Sequence, residues 1–450
     1  MLFMKGVKAG AVAALVMITA SANAGTFPDF GYKPPANQYS GPLFQLSQNY
    51  PASLPKGAVP EFFKLLPAKF TNDFEQWRPY VDAVKKYCLE GNVETNWDVQ
   101  KNKLRHWYHI PWQHYGPAGR EGIHGLTKEA PIQPLQLAST QTASGTTYAV
   151  GIYNDIGGYT IGQVWKNPQD PDPSVTSQPN SFHDGTVVCK ALFADIDVKT
   201  VPFLANPVLW QAYVTDSFAS ANRQIKNVAL IQMDFAVRDS RVKGTGWIFG
   251  TFQYNGAITG KPGWDNLVPV GVMWGNDPEN TKNDYTNKQP TVTKINPTIL
   301  ESAINAKPEL PPTHLGWNGR LNGPVDNPMS ACMSCHMTAE SPQLAVLNPT
   351  FLPPPAKIPD PGSKEWMRWF QNIDAGVPFN REALSTDYSL QLSQGIANFY
   401  EWKCNQGGVF VDGGNACEKA GRLHLKLMKS ATPPAQVFKV ERDPAINDLH

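Results

Sequence analysis

The residues of this chain with the most defined chemistry are two cysteines and a histidine, spaced Cys332-Met333-Ser334-Cys335-His336. Two thiols three positions apart on one helical turn can each add to a vinyl group of a haem. The next residue is then placed to send an imidazole nitrogen to the iron. With six Cys and nine His in 450 positions, random order would give this arrangement roughly 0.002 times. Two rival chemistries use thiols so spaced. A thioredoxin-like redox pair expects a βαβ setting, whereas Asn322 to Ser330 is a loop rich in Gly, Pro and Asn. A four-ligand zinc site needs a second close pair of ligands, and Cys404 and Cys417 are thirteen apart. One motif predicts one covalently attached haem c, bound by Cys332, Cys335 and His336, with His336 as the proximal iron ligand.

A second polar constellation runs His106-Trp107-Tyr108-His109-Ile110-Pro111-Trp112-Gln113-His114-Tyr115, then Arg120-Glu121-Gly122-Ile123-His124. Neutral imidazoles suit zinc, copper or iron, but the spacing fits no familiar metal template, and Pro111 breaks any helix that would align them. A haem-side or substrate cleft is another reading, with His109 and His114 as candidate catalytic acid–base groups and Arg120 as an anion binder. The plain alternative is an aromatic loop whose imidazoles bond to backbone. The sequence leaves these readings open.

The first 24 residues have the pattern of a secretory signal: Lys5 and Lys8, an apolar run from Ala9 to Ala20, and Ala22-Asn23-Ala24 before Gly25. An uncleaved anchor is the alternative, although the run is short for a bilayer span. Export predicts a periplasmic, disulfide-permissive location and a soluble mature chain. Cys404 to Cys417 encloses two Gly-Gly bends, and a disulfide across that loop is expected, leaving Cys88 and Cys189 to pair by elimination or to stay as buried thiols. The formal charge is +1, with charged residues at 17% and no basic run, which argues against a nucleic-acid or other polyanion partner.

These groups must be positioned by the rest of the chain. Phe74 to Glu90 has helical spacing, with Trp77, Val81, Val84 and Cys88 on one face. Thr146 to Tyr153, Tyr159 to Trp165, Thr186 to Phe193, Val228 to Val237, Gly246 to Tyr254 and Val268 to Trp274 are strand-like. Alternation puts Val187, Cys189, Ala191 and Phe193 on one face of their strand and Lys190 on the other. Beyond a Pro-rich stretch at 307–312, helices are expected at Lys364 to Asn372, Leu390 to Lys403 and Cys417 to Met428. The expected fold is α+β: a β-rich portion (antiparallel sheet or sandwich) at 25–310, with an extended Pro-rich arm, then a mostly helical, loop-rich haem-binding portion at 311–450.

The five-residue motif, followed by a loop and the late aromatic helix Ile396 to Trp402, resembles the c-type cytochromes. The strand led by Asp184-Gly185-Thr186-Val187 is distantly similar to the β-sheet cytochromes c, a much shorter group that includes haem enzymes oxidising hydroxylamine. The first resemblance implies that a methionine some tens of residues past the motif takes the sixth iron position. Met367, 31 residues on, is the nearest candidate and Met428 the other, unless each is a core methionine. A methionine-ligated iron makes an electron carrier; an open position admits a small molecule. The leading expectation is periplasmic electron transfer with a redox partner protein. The alternatives are a haem-dependent redox enzyme acting on peroxide or a small nitrogen compound, and a non-catalytic haem-based ligand-binding protein. A carrier needs only about a hundred residues, so the roughly 300 others imply a further task.

Overall fold

The computed structural model describes residues 27–406 apart from 57–58, 117–118, 180, 218, 259, 283, 286–293, 308 and 312–314. The expected export signal, Cys417, the Cys417 to Met428 helix and Met428 lie outside the described residues.

Nine strands form one antiparallel sheet: β1 (Trp107–Tyr108), β2 (Thr127–Ile132), β3 (Gly145–Asn154), β4 (Val187–Ala194), β5 (Leu209–Thr215), β6 (Arg223–Arg238), β7 (Trp247–Tyr254), β8 (Leu267–Met273) and β9 (Ser302–Ile304). The order is β1-β3-β4-β6-β7-β8-β9, with β2 also paired to β3 and β5 to β6. Five of the six expected strands are present. Alternation of side chains then gives the sheet two different faces.

The first face is apolar throughout. Val187, Cys189, Ala191 and Phe193 of β4 join Met233, Phe235, Ile248, Phe252 and Val272 in one core. Helix α1 (Phe74–Leu89) covers it, capped by Asp73, whose carboxylate accepts from the Glu75 N–H at 3.1 Å. Trp77, Tyr80, Val81, Val84 and Cys88 all lie on its inner side and are fully buried. Trp77 stacks on Trp274 with ring centroids 4.7 Å apart. A Cys88–Cys189 disulfide ties α1 to β4 beneath this layer, the pairing expected by elimination.

The second face is built in rows. Tyr153, Val188, Ala236, Phe249 and Met273 are successive cross-strand partners across five strands, an apolar row. One step along each strand pair lies a polar row: Gly151, Lys190, Asp234, Thr251 and Gly271. Most of the chain beyond residue 310 packs over this face.

Three expectations are corrected here. The fold is not α+β with a helical haem-binding portion. It is dominated by the sheet, and among described residues beyond 310 the only α-helices are α3 (Cys332–His336) and α4 (Leu390–Asn405). The reason is that irregular chain buries its aromatic residues against one another in the second core, Trp317 on Phe370 at 4.7 Å and on Trp366 at 5.7 Å. Side chains replace helical hydrogen bonds there. The Glu340 carboxylate accepts from the N–H groups of Leu344, Ala345 and Asn380, and buried Arg320 donates to the carbonyls of Asn276, Asp277 and Asn280. Tyr159 to Trp165 is not a strand. It falls in helix α2 (Asp155–Val164), because the Asn154 side chain caps the Gly157 N–H at 3.1 Å and Gly158 admits the Tyr108 ring against the backbone. Lys364 to Asn372 holds only a short 3-10 turn, Trp366–Phe370, since its aromatic residues anchor to the core before a helix can propagate.

Candidate haem attachment site

Helix α3 is a single turn whose spacing sorts its residues. Positions i, i+3 and i+4 share one face, so Cys332, Cys335 and His336 point together, while Met333, Ser334 and Met337 are buried against the protein. The turn is held from below. Ser334 Oγ accepts from the Ala331 N–H at 2.8 Å and donates to the Ala331 carbonyl at 3.0 Å. The Met333 N–H points at Met273 Sδ (3.4 Å), and Asn276 Nδ2 at Met337 Sδ (3.4 Å). The motif therefore stands on the β8 end of the apolar row.

His336 Nδ1 lies 2.8 Å from the Tyr388 carbonyl, so Nδ1 carries the proton and Nε2 is the bare nitrogen. Among the described residues Nε2 has no hydrogen-bond partner. The ring packs against Phe249 at 4.7 Å. Burial, helped by Lys190, pushes the imidazole down to about 4, so it is neutral at pH 7. Both thiols are free and half-buried. Burial pushes Cys335 up to about 11 and holds Cys332 well above the usual thiol range. That is the reverse of the lowered thiol a redox pair needs. No group of three His, Cys, Asp or Glu side chains among the described residues is placed to hold a metal ion.

Charged side chains lie beside α3 on the second face of the sheet. Lys190, Asp234, Glu129 and Asp326 are half-buried, as are Cys332, Cys335 and His336, although they lie over central strands. Charge links them: Asp326 bears on both thiols and on His336, Asp234 on Cys332, and Lys190 on His336. Burial first, and then Asp326, push the Asp234 carboxyl up to about 7.

Met367 sits on the Trp366–Phe370 turn, which packs against α3, with its side chain half-buried against the second core. Of the four clustered histidines, His106 is exposed and His124 stacks on Trp210 at 4.3 Å, its Nδ1 toward the Gln211 carbonyl. His109 and His114 are 1% and 5% exposed. His109 Nδ1 accepts from the Ser47 N–H at 2.9 Å, and its carbonyl accepts from the Tyr50 hydroxyl. His109 Nε2 and both His114 nitrogens have no partner and are closed off from solvent. No hydrogen bond or ring contact joins either imidazole to α3. The groups that bear on them are Arg120 and, for His114, His109; those that bear on His336 are Lys190 and Asp326. Among the described residues these imidazoles belong to no group of three side chains that could hold a metal ion.

Those two imidazoles give a pH dependence. Burial, with Arg120 adding to it, lowers His109 to about 3 and His114 well below its ordinary value. A lowered folded pKa favours folding above the unfolded value of about 6.5, and that contribution drains away as pH falls below it. Each neutral imidazole should cost stability as the pH falls below that value, and for His109 the loss between pH 6 and 4.5 should be about 2 kcal/mol. In His114→Phe, which removes the two buried ring nitrogens, urea unfolding should show a shallower acid loss. Equal losses in both proteins would remove His114 from the account.

No protein-family model, curated protein or solved structure matches this chain.

Proposed function

We propose that this chain carries one haem c, attached through Cys332 and Cys335 and ligated by His336, and that it transfers electrons in the periplasm. The observation that carries the reading is the state of His336: Nδ1 is fixed to the Tyr388 carbonyl, which leaves Nε2 as the bare nitrogen of a residue sharing one helical face with two free thiols. The residues fit the group. The thiols are spaced to form thioethers, the imidazole is neutral and aimed, and the second face of the sheet offers Phe249 beside it. Bound there, haem supplies a one-electron acceptor and donor.

This chain's own part is to orient and to insulate. Tyr388 sets the imidazole tautomer, and Met333, Met337 and Met273 fix the turn in apolar surroundings that exclude water. No helix among the described residues is long and apolar enough to cross a membrane.

The test is a spectrum of the purified protein, oxidised and reduced, from cells able to attach haem. A low-spin spectrum with haem retained after acid–acetone extraction is expected for the carrier. Haem that extracts freely sinks the reading. A five-coordinate, high-spin spectrum would retain the attachment but favour an enzyme or ligand-binding role on a small molecule. A methionine–iron band lost in Met367→Ala would assign the sixth ligand.

A further inference from the structure

Two consecutive residues ahead of α4 sit in left-handed backbone, Asp387 at φ +48° and Tyr388 at φ +63°. They form the middle of a turn that the Ser389 N–H closes on the Thr386 carbonyl at 3.0 Å. Hairpin turns give these two places to pairs such as Asn-Gly, because a side chain crowds the backbone there. An aspartate tolerates the first place, but a tyrosine in the second is strained. Strain of this kind persists only where the surroundings over-determine it.

Asp387 is what over-determines it. The residue is fully buried, and its carboxylate accepts from three separate stretches of chain. Oδ1 accepts from the Trp247 indole N–H at 3.0 Å, at the start of β7, and from the Gly376 N–H at 3.2 Å. Oδ2 accepts from the Ser181 hydroxyl at 3.1 Å and the Phe182 N–H at 3.5 Å. The Tyr388 hydroxyl adds a bond to the Ile373 carbonyl at 2.6 Å. What the bend achieves is the delivery of one backbone oxygen: the Tyr388 carbonyl lies 2.8 Å from His336 Nδ1.

We propose that Asp387 is a positioning residue for the haem site: it holds the strained bend whose carbonyl fixes His336, and through that bond it sets the reduction potential. The proposal rests on the haem reading above and adds what tunes that site. An imidazole that donates its second N–H to a carbonyl is a more basic ligand, which favours the oxidised iron. Without the carboxylate the bend is free to relax toward ordinary backbone and carry the Tyr388 carbonyl off Nδ1. The imidazole is then a weaker donor, and the potential must rise. Trp247 acts in the same sense at one remove, because its indole N–H is one of the bonds that hold Asp387.

Potentiometric titration of the holoprotein with dithionite and ferricyanide at pH 7, beside its melting curve, tests this. Asp387→Ala should move the equilibrium toward the reduced form about tenfold, a rise of about 59 mV for a one-electron couple. Asp387→Asn tolerates left-handed backbone and keeps an acceptor for Trp247 and Gly376, so it should restore most of the wild-type potential. Trp247→Phe, which keeps a ring in the core and removes the indole N–H, should raise the potential by less. A second readout is the His336 Nδ1–H proton of the reduced protein, followed by NMR: it should exchange with deuterium oxide faster in Asp387→Ala than in the wild type. A haem-bearing Asp387→Ala protein that melts lower but keeps the wild-type potential and exchange rate overturns this proposal alone. An Asn variant that shifts as far as the alanine one places the effect in the lost charge, not the bend, and overturns it equally. Should the alanine chain fail to fold, Trp247→Phe decides, and an unchanged potential there overturns the proposal. A protein with no attached haem overturns the functional reading first, and this proposal with it.

Discussion

Exchange of Cys332 and Cys335 together for alanine is expected to abolish covalent haem while leaving the sheet folded. Both thiols are free on one face of the turn, and neither carries it. α3 is held by Ser334 on Ala331, by Met333 and Met337 in the second core, and by the Cys332 N–H on the Leu321 carbonyl, a backbone bond that alanine keeps. Alanine is also the best helix former. The single variants separate the two bonds: each should retain haem through one thioether, more easily lost on denaturation. The measurement is the mass of the denatured chain, with and without the haem increment, beside the melting curve. Wild-type chain at its unmodified mass, made in cells that attach haem to other proteins, would sink the claim. A double variant that fails to fold would show that the thiols hold the turn after all.

Much of the sheet was legible because its signals are local. Thr186 to Phe193 alternates, and the structure puts Val187, Cys189, Ala191 and Phe193 in one core with Lys190 on the other face. The α1 helix carries its apolar stripe and its Asp73 cap in plain view. The failures have a common cause. Tyr159 to Trp165 reads as a strand from its β-branched and aromatic residues, but the cap that makes it a helix sits upstream at Asn154. The region beyond 310 reads as helical from its apolar spacing, yet Trp317 finds Trp366 and Phe370 far along the chain, and Phe399 packs on Trp112. Spacing cannot reveal partners that distant in sequence.

The site divides in the same way. Cys332, Cys335 and His336 announce themselves, since their chemistry depends on adjacency. The charged row beside them was signalled only faintly, by a lone lysine in Val-Val-Cys-Lys-Ala-Leu-Phe-Ala and a lone aspartate in Ile-Gln-Met-Asp-Phe-Ala-Val. A charge at the centre of an apolar strand is costly unless something meets it, and here Glu129 and Gln232 do. Tyr388 left no signal at all, because it acts through its backbone carbonyl. In the histidine-rich segment, four imidazoles close in sequence end in three different environments: the two deepest both feel the Arg120 charge, and His109 meets the Phe44 ring.

The largest loss of stability is expected from Cys88→Ala with Cys189→Ala. The disulfide spans 101 residues of sequence, and a cross-link of that length constrains the unfolded chain by about 4–5 kcal/mol on the chain-entropy model. Both sulfurs lie in the first core, where each residue is fully buried, so truncation adds a small cavity and about 1 kcal/mol more. That is a large part of the 5–15 kcal/mol typical of a folded domain. The loss should appear as a much lower urea midpoint, and reductant should produce most of it in the wild type and far less in the double variant. Haem attachment should survive, because α1 and β4 meet on the face of the sheet opposite the Cys332–His336 turn. A double variant with an unchanged midpoint would mean that the unfolded chain is already restrained elsewhere. One that folds but no longer takes up haem would show that the two faces of the sheet are coupled through β4, where Cys189 and Lys190 are neighbours.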